Sequence, residues 1–347
     1  MTVESAGEIL AEVGLGAGDM DAFVVRKTES VTISSAVEQI DRAAAVEGEI
    51  VVRVDYSSLN YKDALAASGN PAVARKLPHV PGIDLAGEVI ESKSDRFPVG
   101  AQVVAIGYEL GVERWGGWAQ ECVLPAKFAI AMPPGFDARS AMLVGTAGWT
   151  AMDCVLSLEE RGVKPDSGEI IVTGAGGGVG RLAVLFLAQR GYQVVAVTGR
   201  MELAGELKAI GASCVLARDE ILAAISPKPL LGAKWAGLID VVGGPLLAHL
   251  LKEIQPHGAA AICGLVGSVD LPTTVHPFIL RGVSLIGVDS AWPTLERREM
   301  VWREMARLGV NSSESISREV NLKEVAADVK SILKGQVSGR ILVRPVA

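Results

Sequence analysis

The stretch Glu169-Ile-Ile-Val-Thr-Gly174-Ala-Gly-Gly177-Gly-Val-Gly180-Arg-Leu-Ala-Val-Leu185 decides the fold. A short apolar run enters a cluster of glycines and leaves as an apolar, helix-like pattern. A dinucleotide loop needs this order. Glycines let backbone N–H groups approach a pyrophosphate, and the helix N-terminus adds partial positive charge. The strict G-x-G-x-x-G spacing fails, because its third position falls on Val179 counted from Gly174 and on Arg181 counted from Gly176. A G-x-x-G-x-x-G spacing fits at Gly174, Gly177 and Gly180. Alone, such a loop is equally a glycine-rich turn of a plain α/β domain. The ordered strand, helix and further βα units around it favour the nucleotide reading.

Working outward, 193–198, 213–216, 237–242, 259–263 and 283–288 read as strands, and 179–190, 202–210 and 246–254 as helices. Strands alternating with helices predict a doubly wound parallel sheet. Upstream, 22–25, 49–56, 85–91, 101–107 and 119–124 read as short strands separated by Gly/Pro turns, a compact β-rich unit. Residues 138–158 are helical in composition but interrupted by Gly145 and Gly148. Helices follow at 294–308 and 322–333, and a closing strand at 340–343. The expected division is 20–143 with 290–347 as the β-rich unit, and 144–289 as the nucleotide unit.

The 347 residues suit two domains. Hydrophobic residues at 49% and charged residues at 21% exclude a disordered chain. A net charge of −7 removes any global basic footprint for nucleic acid. Cys122, Cys154, Cys214 and Cys263 form no C-x-x-C pair and no disulfide framework, so reduced thiols in a cytoplasmic protein are expected. His79, His249, His257 and His276 are dispersed, and no metal motif is present. No run approaches the ~18 apolar residues of a membrane span. Residues 1–19 lack Lys and Arg and carry Glu4, Glu8, Glu12 and Asp19, unlike a signal or transit peptide. They are expected to be a poorly ordered extension.

The cofactor follows from the tip of the second strand, Thr198-Gly199-Arg200. An acid there would accept from the ribose 2′-hydroxyl of NAD, and none occurs before Glu202. Arg200 can donate bidentately to a 2′-phosphate, and Thr198 can add a hydroxyl. The sequence therefore points to NADPH; a solvated arginine at a helix start is the alternative. Arg218, after the third strand, is a second candidate near the adenine.

With those residues in view, the chain resembles the medium-chain dehydrogenase/reductases, and within them the zinc-free quinone-oxidoreductase branch and its acrylyl-CoA reductase group. The matching stretches are Tyr56-Ser-Ser-Leu-Asn60-Tyr-Lys-Asp63, Pro81-Gly-Ile-Asp84-Leu-Ala-Gly87, Trp115-Gly-Gly-Trp-Ala-Gln120, Gly145-Thr-Ala-Gly-Trp-Thr-Ala151, the glycine loop, Val195-Ala-Val-Thr-Gly-Arg200 and Leu271-Pro-Thr-Thr-Val-His276-Pro-Phe278-Ile-Leu-Arg-Gly282. The resemblance implies a GroES-like β domain with an inserted Rossmann domain, NADPH, and hydride transfer to an activated C=C bond. Zinc members carry Gly-His-Glu where this chain has Gly82-Ile83-Asp84, and a four-cysteine lobe absent here, so no metal site is expected.

Reducing an enoyl thioester needs hydride at the β-carbon and a donor for the developing enolate oxygen. Tyr61, Asn60 and Asp84 are the catalytic candidates; Asp63 reads as a helix cap. The expected cofactor set is Tyr61, Gly174, Ala175, Gly176, Gly177, Gly178, Val179, Gly180, Thr198, Gly199, Arg200, Arg218, Val242, Gly264, Leu265, Phe278 and Ile279. Trp115 and Trp118 either wall a substrate cleft or cover the β domain. Arg114, Arg281 and Arg340 are candidates for CoA phosphates. The strand at 283–288 ends the sheet as an open edge, which predicts a homodimer. The leading expectation is an NADPH-dependent reductase of a short enoyl-CoA. The alternatives are an NADPH:quinone oxidoreductase and a non-catalytic NADPH-binding module. No nucleic-acid or membrane partner is expected.

Overall fold

The computed structural model describes residues 18–28, 32–45, 47–309 and 317–346. Most of the expected N-terminal extension lies outside the described residues, and Asp19 already opens the first strand. The chain forms two units, Met1–Thr146 with Val310–Ala347, and Ala147–Gly309. Strands are numbered in chain order.

The first unit holds β1 (Asp19–Lys27), β2 (Ile33–Asp41), β3 (Ile50–Ser58), β4 (Asp84–Ser92), β5 (Gln102–Ile106), β6 (Glu121–Leu124), β7 (Ala129–Ala131), β14 (Ser317–Asn321) and β15 (Arg340–Arg344). β1 and β2 pair antiparallel as their own ribbon. The others form one sheet in the order β14-β15-β3-β4-β5-β7, with β6 also on β3. All pairs are antiparallel except β14 with β15. β1 reaches its surroundings through Phe23 N–H to Trp118 O and Val25 N–H to His79 O, at 2.9 and 2.8 Å. Its apolar residues join a core with Trp118, Val325, Ile341 and Val343, in which Phe23 meets Trp118 edge-to-face at 5.4 Å. Trp118 is fully buried and donates to Ser58 O at 3.1 Å, and Trp115 packs on the same core. Both tryptophans thus cover the β domain. The buried Arg42 pairs with Glu91 and Glu121.

The second unit holds β8 (Ile170–Val172), β9 (Val194–Thr198), β10 (Ala212–Ala217), β11 (Trp235–Asp240), β12 (Ile254–Ile262) and β13 (Ser284–Gly287). The sheet order is β10-β9-β8-β11-β12-β13, every pair parallel. This is the doubly wound order of a Rossmann sheet, whose direction of winding reverses between β8 and β11. β8, β9 and β11 are buried along their whole length, as strands covered on both faces must be.

Helix Leu295–Leu308 belongs to this unit, not to the β-rich one as expected from sequence. Arg297 bonds Asp153 at 2.6 Å, Trp149 donates to Arg298 O at 3.3 Å, and Arg190 reaches Glu304 at 3.3 Å. These contacts move the join from 289 to Gly309.

Helix Ala138–Glu160 is the one described helix long and apolar enough to cross a membrane; 94% of its apolar window is buried inside the protein. It is two helices merged across Gly145, where φ is 46° and ψ −147°. A Cβ there would stand 2.7 Å from Asp84 Oδ2 and 2.9 Å from Arg340 Nη2. Glycine is required by backbone angle and by space. Gly145→Ala is expected to destabilise the first unit by about 2–4 kcal/mol. Urea unfolding measures it, and a wild-type midpoint would show that the break does not depend on this residue.

Candidate active site

In the first unit, β3 ends at Ser58 and the helix Tyr61–Ala67 begins three residues later, with Asn60 as its N-cap. Asp63 sits at the third helical position and accepts from Asn60 N–H at 2.8 Å, which fixes the helix start. Its other oxygen accepts from Gly82 N–H at 3.1 Å and Ile83 N–H at 2.7 Å. One buried carboxylate thus ties the Tyr61 helix to the loop that leads into β4. Asp84, first residue of β4, accepts from Ser58 N–H (3.0 Å), Ser58 Oγ–H (2.8 Å), Asn60 Nδ2 (2.9 Å) and Thr146 N–H (3.0 Å). Arg340 of β15 closes the cluster, donating to Asn60 Oδ1 at 3.0 Å and Ser58 Oγ at 2.7 Å. It also donates to the carbonyls of Leu143 and Met142 at 3.1 and 3.3 Å.

Asp63 and Asp84 are both 0% exposed and Asn60 8%, while Tyr61 stands 39% exposed beside them. Of the three catalytic candidates, only Tyr61 presents its side chain at the surface. Asn60 and Asp84 are turned into the cluster. Asp84, the single ligand-type residue of Gly82-Ile83-Asp84, is enclosed by donors and a guanidinium. Among the described residues no group of three His, Cys, Asp or Glu could hold a metal ion.

In the second unit, the carboxyl ends of the parallel strands carry the predicted nucleotide residues. Gly174 has φ +57° and turns the chain out of β8. A Cβ on Gly180 would lie 2.4 Å from Gly174 O, so the loop and helix Gly178–Gln189 close against each other. Gly176 lies under Arg200, whose Nη2 donates to the Gly176 carbonyl at 3.0 Å. A Cβ on Gly199 would lie 3.0 Å from Arg218 Cζ. Both arginines therefore crowd the β9 tip, and Arg218 also pairs with Asp219 at 3.0 Å. This cradle fits a 2′-phosphate. Thr198 is buried, and its hydroxyl accepts from Arg200 N–H at 3.0 Å, holding the turn.

Val242 and Gly264 follow β11 and β12. Gly267 N–H donates to Val242 O at 2.8 Å, and a Cβ on Gly264 would lie 2.3 Å from Val241 O. Leu265 and Ile279 are 60% and 70% exposed, whereas Phe278 packs on the sheet core. Asp240, which sequence reasoning missed, links these tips. Its carboxylate accepts from Thr173 Oγ1 at 2.6 Å and Gly243 N–H at 2.7 Å, and burial pushes its pKa up. An acid ending an apolar strand was its only sequence signal.

The arginines considered for CoA phosphates are engaged elsewhere. Arg340 is in the buried cluster, Arg281 donates to the carbonyls of Lys252, Ile254 and Leu231, and Arg114 pairs with Glu109 and donates to Glu47 O.

Burial, with the nearby Asp84 charge, pushes the Asp63 carboxyl up from 3.8 to about 7. The folded protein then holds this proton more tightly than the unfolded chain. The resulting stability is fully present below about pH 4 and is lost as pH rises toward 7. Asp63→Asn carries no titration and should flatten that slope, whatever its offset. Urea unfolding from pH 4 to 8 reads the two slopes, and identical slopes would show that Asp63 does not titrate in this window.

Two family models match the chain, the alcohol dehydrogenase GroES-like domain over residues 46–134 and the zinc-binding dehydrogenase over residues 178–308. The acrylyl-CoA reductase AcuI of Ruegeria pomeroyi is 43% identical over 325 residues, 93% of this chain and 98% of that protein. The yhdH oxidoreductase of Salmonella enterica, solved in complex with NADP, is 40% identical with a TM-score of 0.91, covering 94% of this chain and all of that one. The yhfP protein of Bacillus subtilis, solved with NAD bound, matches at 40% identity, a TM-score of 0.91 and the same coverage. A GroES-like unit, a Rossmann unit and near full-length relatives at this identity agree: the chain belongs to the medium-chain dehydrogenase/reductase superfamily of oxidoreductases.

Proposed function

We propose that this protein is an NADPH-dependent reductase that delivers hydride to the activated C=C bond of a short enoyl-CoA of the acrylyl-CoA type. The observation that carries the cofactor is the pair Arg200 and Arg218 crowding the tip at Gly176 and Gly199. The identity with an acrylyl-CoA reductase over nine-tenths of the chain supports the substrate class.

The loop from Gly174 to Gly180, with Ala175 and Val179, presents backbone N–H groups and a helix N-terminus to the pyrophosphate. Arg200 and Arg218 hold the 2′-phosphate. Val242, Gly264, Leu265, Phe278 and Ile279 serve the nicotinamide end. When bound, NADPH supplies the hydride. Tyr61 donates a hydrogen bond to the thioester carbonyl, whose oxygen gains negative charge as the β-carbon is reduced. Asn60 and Asp84 act as positioning residues, since their side chains hold the start of the Tyr61 helix from within. The enzyme works in the cytoplasm as a homodimer joined along β13, which among the described strands pairs only with β12.

Arg200→Ala should weaken NADPH about 10–100-fold and leave NADH nearly unchanged. Calorimetric titration with both nucleotides tests this, and equal loss for the two would refute the 2′-phosphate assignment. Tyr61→Phe should lower kcat/KM for acrylyl-CoA by about 10²–10³-fold with an unaltered unfolding midpoint; wild-type kinetics would remove Tyr61 from the reaction. NADPH oxidation with acrylyl-CoA and 1,4-benzoquinone side by side tests the substrate class, which a higher kcat/KM for the quinone would overturn.

A further inference from the structure

Arg181 is the fourth residue of helix Gly178–Gln189 and directly follows Gly180 of the loop. It is 2% exposed, among the largest fully enclosed side chains of the protein. A guanidinium carries its charge into the interior, so an arginine this deep depends on its counter-charge. Both terminal nitrogens reach one oxygen of Glu206, each at 2.8 Å. Its Nε is buried with no hydrogen-bond partner. The Glu206 side chain is 57% exposed, so the pair is anchored from the arginine side.

Glu206 belongs to the helix Ala204–Ala209, which continues the 3₁₀ turn Met201–Leu203. The cap of that turn is Arg200. The proposed 2′-phosphate ligand and the partner of Arg181 therefore ride on one short helical run. That run meets the glycine loop and its helix at three places. Arg200 Nη2 donates to Gly176 O at 3.0 Å, Leu203 Cδ1 stands 2.8 Å from where a Gly176 Cβ would be, and Glu206 holds Arg181. The first contact spends the guanidinium that a 2′-phosphate needs. The second is apolar and fixes no direction. The third is a directional, charge-assisted bond that leaves Arg200 free to serve the ligand. It also cancels the Glu206 charge on the run that must receive an anion.

We propose that Arg181 is a positioning residue for coenzyme selectivity: through Glu206 it pins the run from Arg200 to Ala209 against the glycine loop, so that Arg200 meets the 2′-phosphate. The proposal rests on the cofactor reading above and adds to it a residue whose side chain is turned inward. NADPH and NADH are identical except for the 2′-phosphate. A residue that merely supports the glycine loop affects both nucleotides equally. A residue that places Arg200 affects NADPH alone.

The test is calorimetric titration of the full chain with NADPH and with NADH, for the wild type, Arg181→Met, Arg200→Ala and the double variant. Methionine keeps an apolar stem in the enclosed channel and removes the charge. Arg181→Met should weaken NADPH about 5–50-fold and leave NADH within about twofold. In the Arg200→Ala background the same substitution should cost NADPH almost nothing, because the two residues act on one contact. Glu206→Gln approaches the pair from its exposed side and covers the case in which Arg181→Met fails to fold. It should shift NADPH in the same direction, by about 2–10-fold, again sparing NADH. Equal loss for the two nucleotides, or an undiminished NADPH loss in the Arg200→Ala background, would overturn the proposal. If Arg200→Ala itself leaves NADPH unchanged, the cofactor reading fails and this inference with it. If Arg200→Ala weakens NADPH while Arg181→Met and Glu206→Gln do not, only this inference fails.

Discussion

Two carboxylates with no exposure cannot be held a few ångströms apart in a β-rich core unless positive charge and donors surround them. In the first unit Arg340 is that charge. Its guanidinium spans Ser58, Asn60 and the carbonyls of Met142 and Leu143, joining the end of β3, the cap of the Tyr61 helix and the last turn before Gly145. The exposed Tyr61 owes its place to this buried arrangement. Asp63 and Asn60 fix the helix start, and Asp84 fixes Asn60. Removing Arg340 would leave the buried Asp84 without its neighbouring positive charge, far costlier than loss of a surface ion pair.

The second unit solves a different problem. A parallel sheet ends with carbonyls and loops at one edge, and an anionic ligand there needs donors at close range. Glycines at 176, 180 and 199 remove side chains where backbone or guanidinium groups approach. Asp240 then cross-links the tips of β8 and β11 at the point where the sheet reverses its winding.

Much of this was legible in the sequence where a local pattern carried it. The glycine loop, the alternating strands and the acid-free Thr198-Gly199-Arg200 tip each announce themselves within a few residues. β2, whose Ile33-Ser-Ser-Ala36 run is exposed, and β14, with Ser317-Arg-Glu-Val-Asn, lack the apolar alternation that marks a half-buried strand. The three-residue β7 is too short to show a period. The helices Arg218–Ala223 and His276–Arg281 also pass unseen, being one and a half turns each. The place of Helix Leu295–Leu308 depends on Arg297 and Trp149 meeting partners far along the chain. For the same reason Arg340 reads as a candidate phosphate ligand until the fold shows it enclosed. Of the proposed site residues, Tyr61, Arg200 and Arg218 came from local context, whereas the inward turn of Asn60 and Asp84 is a property of tertiary packing.

The cation that completes the first unit is bonded to Asn60 across 280 positions of sequence. During synthesis the Rossmann unit, contiguous from Ala147 to Gly309, emerges whole from the ribosome while the earlier β strands still wait for β15. The β strands translated ahead of the Rossmann unit therefore complete their sheet only after it. A nascent chain stalled before residue 340 would lack the guanidinium that Ser58 and Asn60 accept from, a form open to chaperones and proteases.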